Sequence, residues 1–391
     1  MNARSYLAVL ASVGLVIPVA GEAVVRNVPT LLPVADQIRM QAVLMKDEVL
    51  PDKEVGFVRK PGLRQQVNTM DFTYLRETDS FGFPNRDPWP LRADLVILGD
   101  SLVMGEGTGL DRSFAGRFSE ANPGVRVVNL GIAGAGPDRQ AIAFRKYGAR
   151  LHPKVVLSFI YLAADITNSR HFELWRRQAP ETNYNRFRLS LGRNRSPWSL
   201  LRRSRFASVV SDVMQRDQAS QEVVKTADGS DVFLNEVTVE LVKCGLDSTS
   251  EEMRLLLGPL ESLSDAVGAQ KADFFVVLIP SKEEIYGRSY ALVRSVRDAL
   301  DRAEIDYLDL YHPIEKAANR RSPYFCRDIH LNDHGNQVVA DYLDRWWRAR
   351  AQEQEARSQE PEARSQKAEA GKQEVRSQKT EDRARSQKVT R

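Results

Sequence analysis

The sharpest hydropathy signal in the chain is the run Leu95-Val96-Ile97-Leu98-Gly99, where no polar residue alternates with the apolar ones. Such a run reads as a strand buried on both faces, as in a parallel sheet. Four further runs rich in Val, Ile, Leu and Phe predict strands at Val125–Leu130, Val155–Tyr161, Phe274–Ile279 and Ile305–Leu310. Segments between and after them predict helices over Arg112–Glu120, Pro137–Gly148, Ser250–Val267, Arg288–Arg302 and Asp333–Arg350. Buried strands alternating with helices from Asp94 onward imply a three-layer α/β domain with right-handed crossovers.

The flanks read differently. Arg4 precedes a charge-free apolar run from Tyr6 to Gly21, extended past Glu22 by Ala23-Val24-Val25. This is close to the ~20 residues that cross a bilayer, with the positive end first. It predicts a signal anchor over 1–26 that meets the membrane through residues 6–25, in preference to a signal peptide cut near Ala20 or Ala23. Residues 27–90 form a Pro-containing approach segment that closes in the turn-rich stretch Thr78-Asp79-Ser80-Phe81-Gly82-Phe83-Pro84-Asn85-Arg86. The α/β domain then occupies 91–350, with an insertion at about 167–246. The first half of that insertion carries Arg170, Arg176, Arg177, Arg186, Arg188, Arg193, Arg195, Arg202, Arg203 and Arg205 against only Glu173 and Glu181. It reads either as a basic cap for an anionic partner or as a solvated basic surface. Residues 351–391 repeat Arg-Ser-Gln among Glu, Lys and Ala, too polar to order themselves, and predict a disordered tail.

Composition narrows the function classes. The chain has 391 residues, 42% of them hydrophobic, which allows a sizeable core, and its formal net charge of +4 gives no argument for nucleic acid. No P-loop or dinucleotide fingerprint appears. The two cysteines, Cys244 and Cys326, lack metal-ligand spacing, so no metal or organic cofactor is expected. Outside the cytoplasm a disulfide between them is open to the chain.

The candidate chemistry gathers at strand ends. The first strand runs into Gly99-Asp100-Ser101, followed by Gly105 and Gly107. The second ends in Asn129-Leu130-Gly131-Ile132-Ala133-Gly134, and the third in Tyr161-Leu162-Ala163-Ala164-Asp165. After the fifth comes Asp328-Ile329-His330, with Asn332 and Gly335. Carboxyl ends of strands are where α/β sheets place their ligands.

From about Ser80 to Trp346 these blocks, in this order, resemble the SGNH (GDSL-type) hydrolases, in particular the branch with an N-terminal membrane anchor. Ile279-Pro280-Ser281-Lys282-Glu283-Glu284 resembles that branch too. The resemblance implies a flavodoxin-like α/β/α sandwich on a five-stranded parallel sheet. It implies Ser101 as nucleophile, His330 as base and Asp328 as the carboxylate that orients the imidazole, with backbone N–H groups of Ser101 and Gly134 in the oxyanion hole. One residue between Asp and His, where the family commonly has two, is similar to O-acetyltransferase-like branches. The Asn that donates to the oxyanion in the family's third block is Ala164 here, and Asn168, one turn on, is a candidate replacement. The resemblance therefore implies an extracytoplasmic, membrane-anchored serine esterase acting on O-acyl, chiefly O-acetyl, esters of glycans or lipids. The alternatives are an O-acyltransferase of cell-surface polysaccharide and a catalytically impaired binding protein.

Overall fold

The computed structural model describes residues 16–28, 31, 48–191, 206 and 223–356. The chain divides into two compact units, 1–340 and 341–391. In the first, residues 16–27 form helix α1. Two antiparallel hairpins follow: β1 (Val49–Asp52) with β2 (Gly56–Arg59), and β3 (Arg64–Asn68) with β4 (Thr73–Glu77). The chain continues through β5 (Leu95–Leu98), α2 (Phe114–Ala121), β6 (Val127–Asn129), α3 (Pro137–Ala143), β7 (Val155–Tyr161), α4 (Leu162–Gln178) and α5 (Tyr184–Leu191). A small hairpin, β8 (Val223–Lys225) with β9 (Asp231–Phe233), leads to α6 (Glu236–Cys244) and α7 (Glu251–Gly268). Then come β10 (Asp273–Ile279), α8 (Lys282–Tyr286), α9 (Ala291–Arg302), β11 (Tyr307–Asp309) and α10 (Tyr311–Ala318). Residues 333–340 are helical, as in the second unit are 341–356.

One five-stranded sheet, in the order β11-β10-β7-β5-β6 with every pairing parallel, organises the first unit. All of β5 and β7 is buried, the signature of a sheet covered on both sides. The chain steps from β5 outward to β6 and then back across β5 to β7. With right-handed crossovers, this reversal puts α2 on one face and α3 on the other. On the α2 face, Phe114 stacks on Phe159 (ring centroids 4.8 Å apart) and its N–H donates to Asn336 Oδ1 at 2.9 Å. The reversal between β5 and β7 opens a crevice at their carboxyl ends, and Ser101 lies there.

Several expectations need correction. Residues 48–90 of the approach segment contain the pair of hairpins, which supplies buried groups to the site, while 29–30 and 32–47 lie outside the described residues. Residue 167, the approximate start of the expected insertion, lies inside α4, which starts directly from β7. Asp165 in its first turn accepts the Tyr161 N–H at 2.9 Å and so caps it, leaving no turn between strand and helix. Trp175 and Tyr184, which interleave with the arginines in sequence, are core, clustered with Phe172 and Phe57. The helix predicted to Gly148 is α-helical only to Ala143 and widens into a π turn over Phe144–Gly148. Cys244 and Cys326 are both free thiols. Residues 1–15, much of the expected anchor, and 357–391, nearly all of the expected tail, lie outside the described residues. Among the described residues no helix is long and apolar enough to cross a membrane.

Candidate active site

Ser101 follows the last buried residues of β5. No helix begins directly after Ser101. Successive tight turns carry the chain through Gly105 and Gly107, both at positive φ (73° and 90°), before α2 begins at Phe114. A side chain at Gly107 would meet the Phe325 ring 2.5 Å away, in the segment that leads to His330. Asp100 is turned inward, where its carboxylate accepts the Leu102 N–H at 2.9 Å. Burial pushes Asp100 up to about 6, against the pull of the nearby imidazolium of His330.

His330 Nε2 lies 2.7 Å from Ser101 Oγ, and His330 Nδ1 hydrogen-bonds Asp328 Oδ1. The same carboxylate oxygen accepts the backbone N–H of His330 at 2.8 Å, so a spacing of one residue suffices to orient the ring. With its Nδ1 proton held by Asp328, Nε2 presents a lone pair to the serine hydroxyl. Burial disfavours the charged imidazole, but Asp328, with Glu106 and Asp100 behind it, pushes His330 up to about 9. Burial likewise raises the Asp328 carboxyl, and its contacts with His330 more than offset this, leaving it below its ordinary range.

The loop that carries this pair is clamped from two sides. Lys282, almost fully buried, donates from Nζ to the carbonyls of Arg327 (2.9 Å), Asp328 (3.1 Å) and Cys326 (3.4 Å). Opposite, the Asp71 carboxylate accepts the backbone N–H groups of Arg327 (2.6 Å) and Asp328 (2.7 Å). Sequence reasoning missed both roles. Lys282 stood in a noted motif with no function attached. Asp71 sits in the hairpin turn between β3 and β4, where its sequence neighbourhood is that of any turn aspartate.

The glycine loop after β6 is fixed just as closely. Asn129 Nδ2 donates to the Val103 carbonyl (2.7 Å), its Oδ1 accepts the Gly131 N–H (2.9 Å), and its own backbone N–H is taken by Asn85 Oδ1 at 2.7 Å. Arg139, fully buried over the Phe57 ring, donates to the carbonyls of Ala133, Gly134, Val55 and Phe57. Gly134 has φ 61°, and its N–H has no acceptor among the described residues. Ala164, in the first turn of α4, offers no donor. Asn168 lies beside Gly134 through Oδ1, 3.4 Å from where a Gly134 side chain would begin, while its Nδ2 faces Asp165 at 3.5 Å. Thus Ser101, His330 and Asp328 are brought into contact, Gly134 lies on the loop that the Ile132 N–H ties to the Gly99 carbonyl at 2.9 Å, and Asn168 Nδ2 faces Asp165 instead of Gly134. A cavity of about 800 Å³ lined by Asn85, Trp89, Ser113 and Asn129 contains none of the three. Here the side-chain chemistry marks the site, and volume does not.

No family model matches the chain, and no curated protein matches it. Among solved structures it is similar to a member of the lipolytic protein G-D-S-L family from Veillonella parvula (11% identity, 63% of this chain and 93% of that one, TM-score 0.35). It is also similar to the lipase/acylhydrolase from Enterococcus faecalis (11% identity, 66% and 96%, TM-score 0.35). A further similar structure is a mutant of an acetyl-xylooligosaccharide esterase from Geobacillus (11% identity, 65% and 93%, TM-score 0.35). At these scores the likeness carries no weight of its own, and the functional reading rests on the geometry of this chain.

Proposed function

We propose that the protein is a serine esterase of the SGNH type that removes O-acyl groups, O-acetyl foremost, from glycans or lipids outside the cytoplasm. One observation carries the reading: the Ser101 hydroxyl lies 2.7 Å from an imidazole nitrogen whose partner nitrogen is held by a buried carboxylate. In the reaction Ser101 Oγ attacks the ester carbonyl and gives its proton to His330 Nε2. The carbonyl electron pair moves to oxygen, and that oxyanion meets the Gly134 N–H. Collapse then expels the alkoxide, which takes the proton from His330. Water, deprotonated by His330, releases the acyl group by the same steps in reverse. The extracytoplasmic location and the anchor through residues 6–25 rest on Arg4 and the apolar run behind it.

The test is fluorophosphonate labelling of the full-length chain in detergent, beside Ser101→Ala and His330→Ala. Labelling of the wild type that both substitutions abolish is the expected result. Failure of a folded wild-type chain to label overturns the reading in favour of a binding protein. Hydrolysis of p-nitrophenyl acetate in the presence and absence of acetylatable oligosaccharide separates esterase from acyltransferase.

A further inference from the structure

Among the described arginines that follow β7, Arg188 is set apart by its surroundings. Arg170 pairs with Glu252, Arg177 with Glu173, and Arg139 on α3 spends its guanidinium on four carbonyls. Arg188, on α5, makes no hydrogen bond and no ion pair among the described residues. It is nonetheless partly buried, set 5.6 Å over the Phe57 ring by a helix whose first residue, Tyr184, is wholly in the core. Burial holds the Arg188 guanidinium below its ordinary range and no carboxylate offsets this: Asp138 and Asp52 act on Arg139, while Arg188 itself repels Arg139 and His171.

Its position gives the missing partner an identity. Arg188 Nη1 occupies the space that a Gly134 side chain would need, with Cζ 3.4 Å from that point. Gly134, whose N–H is unspent, and the unspent guanidinium therefore lie side by side; Asn168 Oδ1 borders the same point but makes no hydrogen bond to either among the described residues. On the esterase reading, in which the Gly134 N–H meets the oxyanion, negative charge develops beside this pair, and Ala164 leaves that site one donor short.

We propose that Arg188 is the oxyanion donor that replaces the side-chain amide absent at Ala164. This inference rests on the esterase reading. A guanidinium supplies N–H donors and a full charge where an amide supplies only a dipole, and it acts on the oxyanion more strongly than on the neutral ester. The glycine at 134 then has two causes: its positive φ, and the need to leave room for Arg188.

The experiment is pre-steady-state acylation of full-length protein by p-nitrophenyl acetate and by fluorophosphonate, for wild type, Arg188→Ala and Arg188→Gln. Melting temperatures run alongside, and Arg188→Gln, which keeps the stem and an amide donor, carries the test if Arg188→Ala does not fold. Loss of one donor is expected to slow acylation by Arg188→Ala by about 100- to 1000-fold with KM nearly unchanged. Arg188→Gln should retain part of the rate, and Ala164→Asn added to Arg188→Ala should recover part of it. Acylation by a folded Arg188→Ala within a few-fold of wild type overturns the proposal and leaves the esterase standing. A raised KM with kcat unchanged also overturns it, making Arg188 a group that binds substrate in its ground state. If neither wild type nor variant labels at Ser101, the esterase reading itself falls, and the proposal with it.

Discussion

His330 faces three carboxylates, Asp328, Glu106 and Asp100, and the imidazolium they favour cannot serve as a base. Because its folded pKa is raised to about 9, the neutral ring is the minor form at pH 7 and gains population as pH rises. The kcat/KM for p-nitrophenyl acetate is therefore expected to climb from pH 7 through an apparent pKa near 9, after correction for spontaneous hydrolysis. Glu106→Gln removes one of the charges and should move that limb to lower pH. A limb unmoved by the substitution would show that Glu106 does not act on the imidazole. Lys282 presents a different single-residue case. Its Nζ holds three carbonyls of the loop bearing Asp328, and Lys282→Met leaves them without that partner. A loss of about 3 kcal/mol in urea unfolding is expected, with kcat falling more than KM. The positions of Ser101, Asp328 and His330 were legible because each follows a strand or precedes a helix in a block of distinctive residues. Asp71 and Arg188 were not, since a turn aspartate and one arginine among many gain meaning only from what the fold brings beside them.

At the scale of elements, the hairpins before the sheet are the main surprise. They sequester an ionic cluster in which Arg59 Nη1 binds Glu48 Oε2 at 2.8 Å and Arg59 Nη2 binds Glu106 Oε2 at 2.9 Å. Arg76 bridges the same two carboxylates, and Tyr74 Oη donates to Glu106 Oε1 at 2.7 Å. This joins β2 and β4 to the turn just after Ser101. Glu106→Ala leaves two buried guanidinium groups short of a counter-charge. It is expected to cost about 3–5 kcal/mol, read as a lowered denaturation midpoint, whereas removing an exposed pair such as Arg86–Asp111 should cost under about 1 kcal/mol. The strands of the main sheet were legible almost to the residue where apolar runs were long: Leu95–Leu98 and Val155–Tyr161 match the observed β5 and β7. The strands on either edge are shorter than predicted, at Val127–Asn129 and Tyr307–Asp309, because an edge strand pairs on one side only. The hairpins went unseen because β3 is mostly exposed and polar, and β1 is only four residues long with a proline among them, so neither shows the apolar alternation that marks a strand.

For the molecule as a whole, the α/β class could be read from the order of elements, but the strand order could not. Nothing local in the sequence states that the chain returns from β6 across β5 to place β7 on its other side, yet that return opens the crevice that holds Ser101. The Asp71 clamp has a further consequence, in time rather than space. The carboxylate that fixes the loop of Asp328 is made 256 positions before Arg327, which it holds. Contacts so distant in sequence form late, because the intervening chain must first be ordered. During synthesis Ser101 and its surrounding turns emerge long before any residue that can activate them. A nascent chain stalled before Tyr324 should resist fluorophosphonate, and reactivity should appear only once the final loop has emerged and docked. On the esterase reading, the protein would then pass through its own biogenesis unarmed.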